Sequence, residues 1–401
     1  MNAIILDRSI PKAHAWSAVG SMAMCVAMLI ASEFMPVSLL TPIAADLAAT
    51  QGMAGQAISI SGLFAVLTSL FIGAVTARID RRHVLLGLTA LMLCSLVLIA
   101  EASTFAALMA ARALLGISIG GFWSLATATV MRLVPEHAVP KALAVVYTGN
   151  AVATAFAAPI GSYLGGLIGW RGVFWALTPF VLANLAWQWI SMPSLLPSTA
   201  QPVSKVFALL KRKNVAVAML GVMLTFAGAF AAFTYFRPFL ETYTRVNVPQ
   251  LSLLLLGLGA AGFLGTYAAG RLLQKHLYSL LWMLPVALAL VTLVLIPAGR
   301  SVWAVGLLMI AWGTFNSAIP VAWSTWLAKG IRDEPESGGG LMVAAIQLSI
   351  MLGAAFGGFL LDHVSIFATF IGGAALLICS AATIRSGTAM RRNTLRCQVV
   401  D

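Results

Sequence analysis

Charge is what this sequence has least of. Lysine, arginine, aspartate and glutamate make up 9% of its 401 residues, against 61% apolar ones, whereas a soluble domain carries roughly 25% charged residues. A water-soluble fold of this length has no interior large enough to hide so much apolar surface, so lipid is the solvent for most of the chain. Cysteine is scarce as well: Cys25, Cys94 and Cys379 lie in apolar runs and Cys397 in the polar tail. No pair has metal-ligand spacing, so neither disulfides, a metal nor another cofactor is expected. His14, His83, His137, His276 and His363 all fall near loops, which argues against a histidine relay. An enzyme would need His, Cys, Asp or Glu clustered at the membrane surface; none is clustered, and the chain reads as a non-enzyme. The net charge of +12 would suit nucleic acid only if the basic residues shared one face. They are spread over many short loops along the whole chain, so the expected contacts are membrane lipid and a small molecule, with no nucleic acid and no second subunit.

What is present is a series of apolar runs. With about 20 apolar residues per crossing, spans are expected at 16–44, 54–77, 84–100, 105–131, 140–167, 173–191, 215–237, 251–272, 278–297, 302–327, 339–361 and 365–385. The class is therefore an all-α membrane protein of twelve helices. The first run is too long for a cleaved signal peptide. With the N-terminus inside, nineteen of the 24 Lys and Arg residues fall on the cytoplasmic side, four on the outer side, and Arg112 within a span. That bias predicts both termini in the cytoplasm and an even number of spans. The polar stretch 193–214, with the cluster Lys211, Arg212 and Lys213, reads as a cytoplasmic linker between an N-terminal half (1–192) and a C-terminal half (215–390), followed by a tail (391–401).

The halves echo one another. Glu33-Phe34-Met35-Pro36 of span 1 returns as Tyr235-Phe236-Arg237-Pro238 of span 7, Phe122-Trp123-Ser124 as Ala322-Trp323-Ser324, and Arg78 with His83 as Arg271 with His276. Two parallel six-span halves rocking about a midplane site describe a transporter. Glu33 is the one acidic residue well inside an apolar run, about 25 Å above the inner end of span 1. Arg112 is the one basic residue inside a span. A carboxylate that gains and loses a proton beside a permanent cation forms a proton-coupling device, and a charge at that depth needs a partner or a water-filled cavity. Phe122, Trp123, Trp312, Asn316, Trp323 and Gln347 lie at mid-depth, where rings and amides are suited to stacking on a base and reading its edge. Tyr235 joins them because the repeat sets it opposite Glu33. Arg78, Asp80, Arg81 and Arg82 form a candidate cytoplasmic gate.

Several motifs carry a family resemblance. Gly73 to Arg82 occupies the loop where the major facilitator superfamily has a Gly followed by Asp-Arg and further basic residues, with Ala77 at the usual acidic position. Arg112, Gly116 and Gly120 resemble the Arg-x-x-x-Gly pattern of its drug:proton antiporter branch. Pro159, Gly161 and Gly165 resemble the antiporter motif of span 5, with Ala158 where a glycine is usual. The strings EFMPVSLLTPI (33–43), MRLVP (131–135), FTYFRP (233–238) and PVAWSTW (320–326) are similar to bacterial purine ribonucleoside efflux pumps along most of the chain. That resemblance implies a twelve-span fold in the cell inner membrane and export of inosine- and guanosine-like nucleosides in exchange for protons. A multidrug or sugar exporter of the same superfamily is the alternative.

Overall fold

The computed structural model describes residues 12–195, 207–331 and 335–397, and all regular structure among them is helical. Eleven helices are long and apolar enough to cross a membrane, and one of them, Lys141–Ser191, has 51 residues. At 1.5 Å per residue it would span about 76 Å, more than twice the ~30 Å hydrocarbon core, so it is two crossings. The backbone leaves the helix at Gly169 (φ 74°, ψ 164°), a conformation without steric cost only for glycine. Twelve crossings follow, as the sequence predicts. The expected loops near 168–172 and 273–277 are nearly absent: single non-helical residues, Gly169 and His276, turn the chain.

We number the helices α1 (Lys12–Asp46), α2 (Gln51–Val75), α3 (Arg81–Ala100), α4 (Phe105–Leu133), α5 (139–168), α6 (170–191), α7 (Lys213–Phe233), α8 (248–275), α9 (277–298), α10 (Val302–Gly330), α11 (Pro335–His363) and α12 (Ile366–Cys397). Span 7 is shorter than its apolar run. The helix breaks at Thr234 and Tyr235, and one turn (Phe236–Phe239) and a π-turn (Leu240–Thr244) follow. Pro238 explains the break, because it offers no N–H to the Thr234 carbonyl. Half of the predicted linker, residues 196–206, lies outside the described residues.

Two hydrophobic cores form, one drawn mainly from α1–α6 and the other mainly from α7–α12. Without a hydrophobic force between helices in lipid, small residues that let backbones approach bring them together, and here they do so in a repeated scheme. A Cβ on Gly116 or Gly120 of α4 would fall 2.2 or 2.1 Å from the carbonyl oxygens of Ser61 or Ala65 of α2. In the second half, a Cβ on Gly313 of α10 would fall 2.0 Å from the Leu258 carbonyl oxygen of α8. Likewise α5 packs on α1 through Gly149 against Ala23, and α11 on α7 through Gly353 against Ala227.

The two halves meet along α2 with α11 and α5 with α8, and both seams are shut at one end and parted at the other. At the end carrying the α1–α2 turn, Asp362 accepts hydrogen bonds from Thr50 Oγ1 (2.5 Å) and the Gly52 N–H (3.0 Å). Ser59 donates to the Met351 carbonyl (3.0 Å), and Arg237 to the Ser38 carbonyl. Gly52, Gly55 and Gly62 share this stripe of α2, where added Cβ atoms would strike Asp362, Tyr235 and Met351. Farther along the same stripes, added Cβ atoms on Gly73 and Gly340 would meet nothing within 4 Å. The α5–α8 seam does the same: Ala155 touches Gly259, whereas Gly270 has no neighbour. The molecule is open at the end carrying the α2–α3 and α4–α5 loops.

Candidate functional site

Glu33 is 3% exposed and Arg112 fully buried. Arg112 lies one turn before Gly116, so the glycine contact that brings α4 onto α2 also carries its guanidinium across α2 to α1. There Nε donates to the Ala57 carbonyl (2.9 Å), Nη1 to the Ser32 carbonyl (2.8 Å) and Nη2 to the Glu33 carbonyl (3.4 Å). Ser61 returns a bond to the Arg112 carbonyl at 2.9 Å. The guanidinium thus ties three helices by their backbones, and among the described residues no ion pair joins it to the Glu33 carboxylate. Its charge still acts on that carboxylate, and the Gln347 amide of α11 lies beside it. Glu33 and Gln347 therefore meet across the seam between the halves. Gln347 is itself buried, and its Oε1 has no hydrogen-bond partner among the described residues.

The aromatic candidates separate. Trp123 is half-buried and lies against Tyr147 of α5, ring centroids 5.6 Å apart, with Tyr147 half exposed on the parted part of the bundle. Phe122, one residue away, is fully buried in the first core. Successive side chains on a helix point about 100° apart, so only one of the two can face the space between the halves. Trp323 is also placed in a core, edge-on to Trp326 (5.9 Å) and 2% exposed. The equal heights of Trp123 and Trp323 do not give them equal surroundings. Trp312 stacks on Phe233 (5.8 Å) and donates to Thr292. Asn316, on the same stripe of α10, is half-buried. Tyr235 is fully buried, donates to the Ala354 carbonyl (2.8 Å) and fills the shut end beside Gly55.

The remaining sequence candidates stay within the first half in this conformation. Asp80 caps α3 and accepts from the Arg82 N–H (2.8 Å), the Leu195 N–H (2.9 Å) and the Ser194 hydroxyl. Burial pushes its carboxyl up, but these bonds and nearby His83 outweigh it and hold the group below its usual range. Arg81 binds Thr76, Arg82 reaches the Trp189 carbonyl, and Arg78 is exposed. Pro159 is buried in α5, and Gly161 and Gly165 seat that helix on Met35, Ser38 and Leu39 of α1. Asp362, Thr50 and Tyr147 escaped the sequence reading. The Gly52, Gly55, Ser59, Gly62 stripe at helical spacing was the available signal for the seam.

The family model described as Major Facilitator Superfamily matches residues 22–338. The chain belongs to the major facilitator superfamily. It is 50% identical over 370 residues to a Pseudomonas aeruginosa protein named transcription regulatory protein OpdE, covering 91% of this chain and 92% of that one. It is 38% identical over 369 residues to the purine ribonucleoside efflux pump NepI of Salmonella paratyphi B, covering 92% and 93%. In fold it is similar to a bacterial homologue of the human lysosomal transporter Spinster, solved in an inward-facing and occupied conformation (TM-score 0.78, 13% identity, 92% and 96% of the two chains). This superfamily member is thus a multi-pass membrane transporter of small molecules.

Proposed function

We propose that this protein is a proton-coupled antiporter that exports purine ribonucleosides such as inosine and guanosine across the cell inner membrane, both termini lying in the cytoplasm. The observation that carries the reading is the meeting of a buried carboxylate, Glu33, with a buried amide that has an open acceptor, Gln347, at the seam of the two halves. One group can carry the proton and the other can read a polar ring edge. Similarity to NepI over nearly the whole chain supports the substrate class. On the positive-inside assignment the parted end faces the cytoplasm, the side from which an exporter loads. Uptake of labelled inosine into inside-out vesicles, with and without a pH gradient, tests the reading; no gradient-dependent uptake would refute it. For topology, cysteines placed at Ser198 and Thr394 on a cysteine-free background should stay unlabelled by an impermeant reagent in intact cells.

The two tryptophans should behave differently. Trp123→Ala is expected to weaken inosine binding by roughly five- to a hundredfold, the loss of one stacked ring at ~1–3 kcal/mol. Trp323→Ala empties a core position and should cost about 3–5 kcal/mol of stability while leaving inosine affinity per folded molecule unchanged. Thermal melts and equilibrium binding on the two purified variants check the contrast, and equal losses of affinity would show both rings at the substrate.

A further inference from the structure

Gln347 occupies a particular height in the α2–α11 seam. A Cβ on Gly62 would lie 3.1 Å from the Gln347 carbonyl oxygen, so the helices still touch there. Seven residues nearer the parted end, about 10 Å along the helix, Gly340 has no neighbour. The side chain thus sits at the head of the opening, where a ligand entering between the halves would stop. Its amide offers two N–H donors and an oxygen with two lone pairs. The Glu33 carboxylate beside it, when ionised, only accepts and so can satisfy only an amide N–H; Oε1 has no partner among the described residues. A buried acceptor without a partner is costly, and a ligand donor relieves it.

Resting on the nucleoside reading above, we propose that the Gln347 side-chain oxygen accepts the ring N1–H of hypoxanthine or guanine, and that a protonated Glu33 takes the same oxygen instead. Once protonated, Glu33 carries an O–H donor, and a half-turn of the Gln347 amide about its last torsion, which is broad and two-fold, sets Oε1 opposite it. The acceptor is then occupied, and the substrate loses its partner. Proton and nucleoside exclude each other at one atom, which is what exchange requires. The charged group facing this pair is Arg112 from α4. Around it α2 brings Ala57 and Ser61, and α7 brings Phe230 and Phe233 against the neighbouring Phe34. Arg112 is bound to backbone carbonyls and leaves Gln347 free to respond. Adenosine has no N1–H, so the same atom sets a preference among purines.

Binding of inosine, 1-methylinosine and adenosine to the purified full-length protein tests this. Wild type should bind 1-methylinosine and adenosine about tenfold or more weaker than inosine, the effect of one hydrogen bond with its acceptor left unpaired. Its inosine affinity should fall as the pH is lowered. Gln347→Met should bind the three alike and lose the pH dependence. Equal binding of inosine and 1-methylinosine by wild type would overturn the proposal while leaving nucleoside export standing, and it needs no variant to fold. Discrimination that persists in Gln347→Met would overturn it too. Wild type that binds no inosine at any pH would refute the nucleoside reading itself.

Discussion

Glu33→Gln is expected to fold and insert, to bind inosine with the reduced affinity of the protonated wild type, and to show no transport driven by a pH gradient. The substitution keeps the shape and removes the titrating group. It should not unsettle the surroundings, because Arg112 is held by the carbonyls of Ala57, Ser32 and Glu33 and not by the Glu33 carboxylate. A buried cation deprived of its partner would otherwise destabilise the bundle by several kcal/mol. Inosine binding to the variant should be independent of pH, since no proton can then compete. Counterflow, which exchanges labelled for unlabelled inosine without a gradient, should survive. The measurement is uptake into inside-out vesicles with an imposed gradient beside counterflow in the same preparation. Gradient-driven accumulation at the wild-type level would remove Glu33 as the proton carrier.

Gly55→Leu should arrest transport by a different route. A Cβ at Gly55 would lie 1.9 Å from the Tyr235 hydroxyl and 2.6 Å from its ring, and Tyr235 is fixed by its bond to the Ala354 carbonyl. The seam beside the α1–α2 turn then cannot shut. Overpacking costs about 1–3 kcal/mol, and that much, applied to one of two states, shifts their ratio by roughly 5–150-fold. The population moves away from the conformation parted at Gly73 and Gly340, so a cysteine at Gly340 on a cysteine-free background should become slower to label. Adding Tyr235→Ala removes the obstructing atoms and should restore both labelling and transport. Wild-type labelling and transport in Gly55→Leu alone would show that closing this seam is no part of the cycle.

Much of this protein was legible along the chain. Lipid imposes a local code: a backbone polar group with no water to bind must be satisfied within its own helix, so every apolar run of sufficient length is a span. The run count follows from it. A carboxylate in such a run stands out for the same reason, as Glu33 does. Glycines at helical spacing mark close helix contacts, and those of α4 and α5 do seat their helices on α2 and α1.

Which residues face the space between the halves was settled by the tertiary structure. In water an amphipathic period tells the inward face of a helix from the outward one, but here lipid and core are both apolar and the period vanishes. Phe122 and Trp123 are equivalent in sequence, and the rotation of α4 alone puts one in the core and leaves the other beside Tyr147. The shut end rests on a carboxylate and a hydroxyl 312 residues apart, Asp362 and Thr50. Gln347 meets Glu33 because α11 and α1 come from opposite halves of the molecule. By itself the sequence determined how many helices cross and which charge they bury, because those depend on each segment's own exchange between water and lipid. Which side chains meet across the seam, and which end is open, depends on how two preformed halves dock, and that is a property of the assembled bundle.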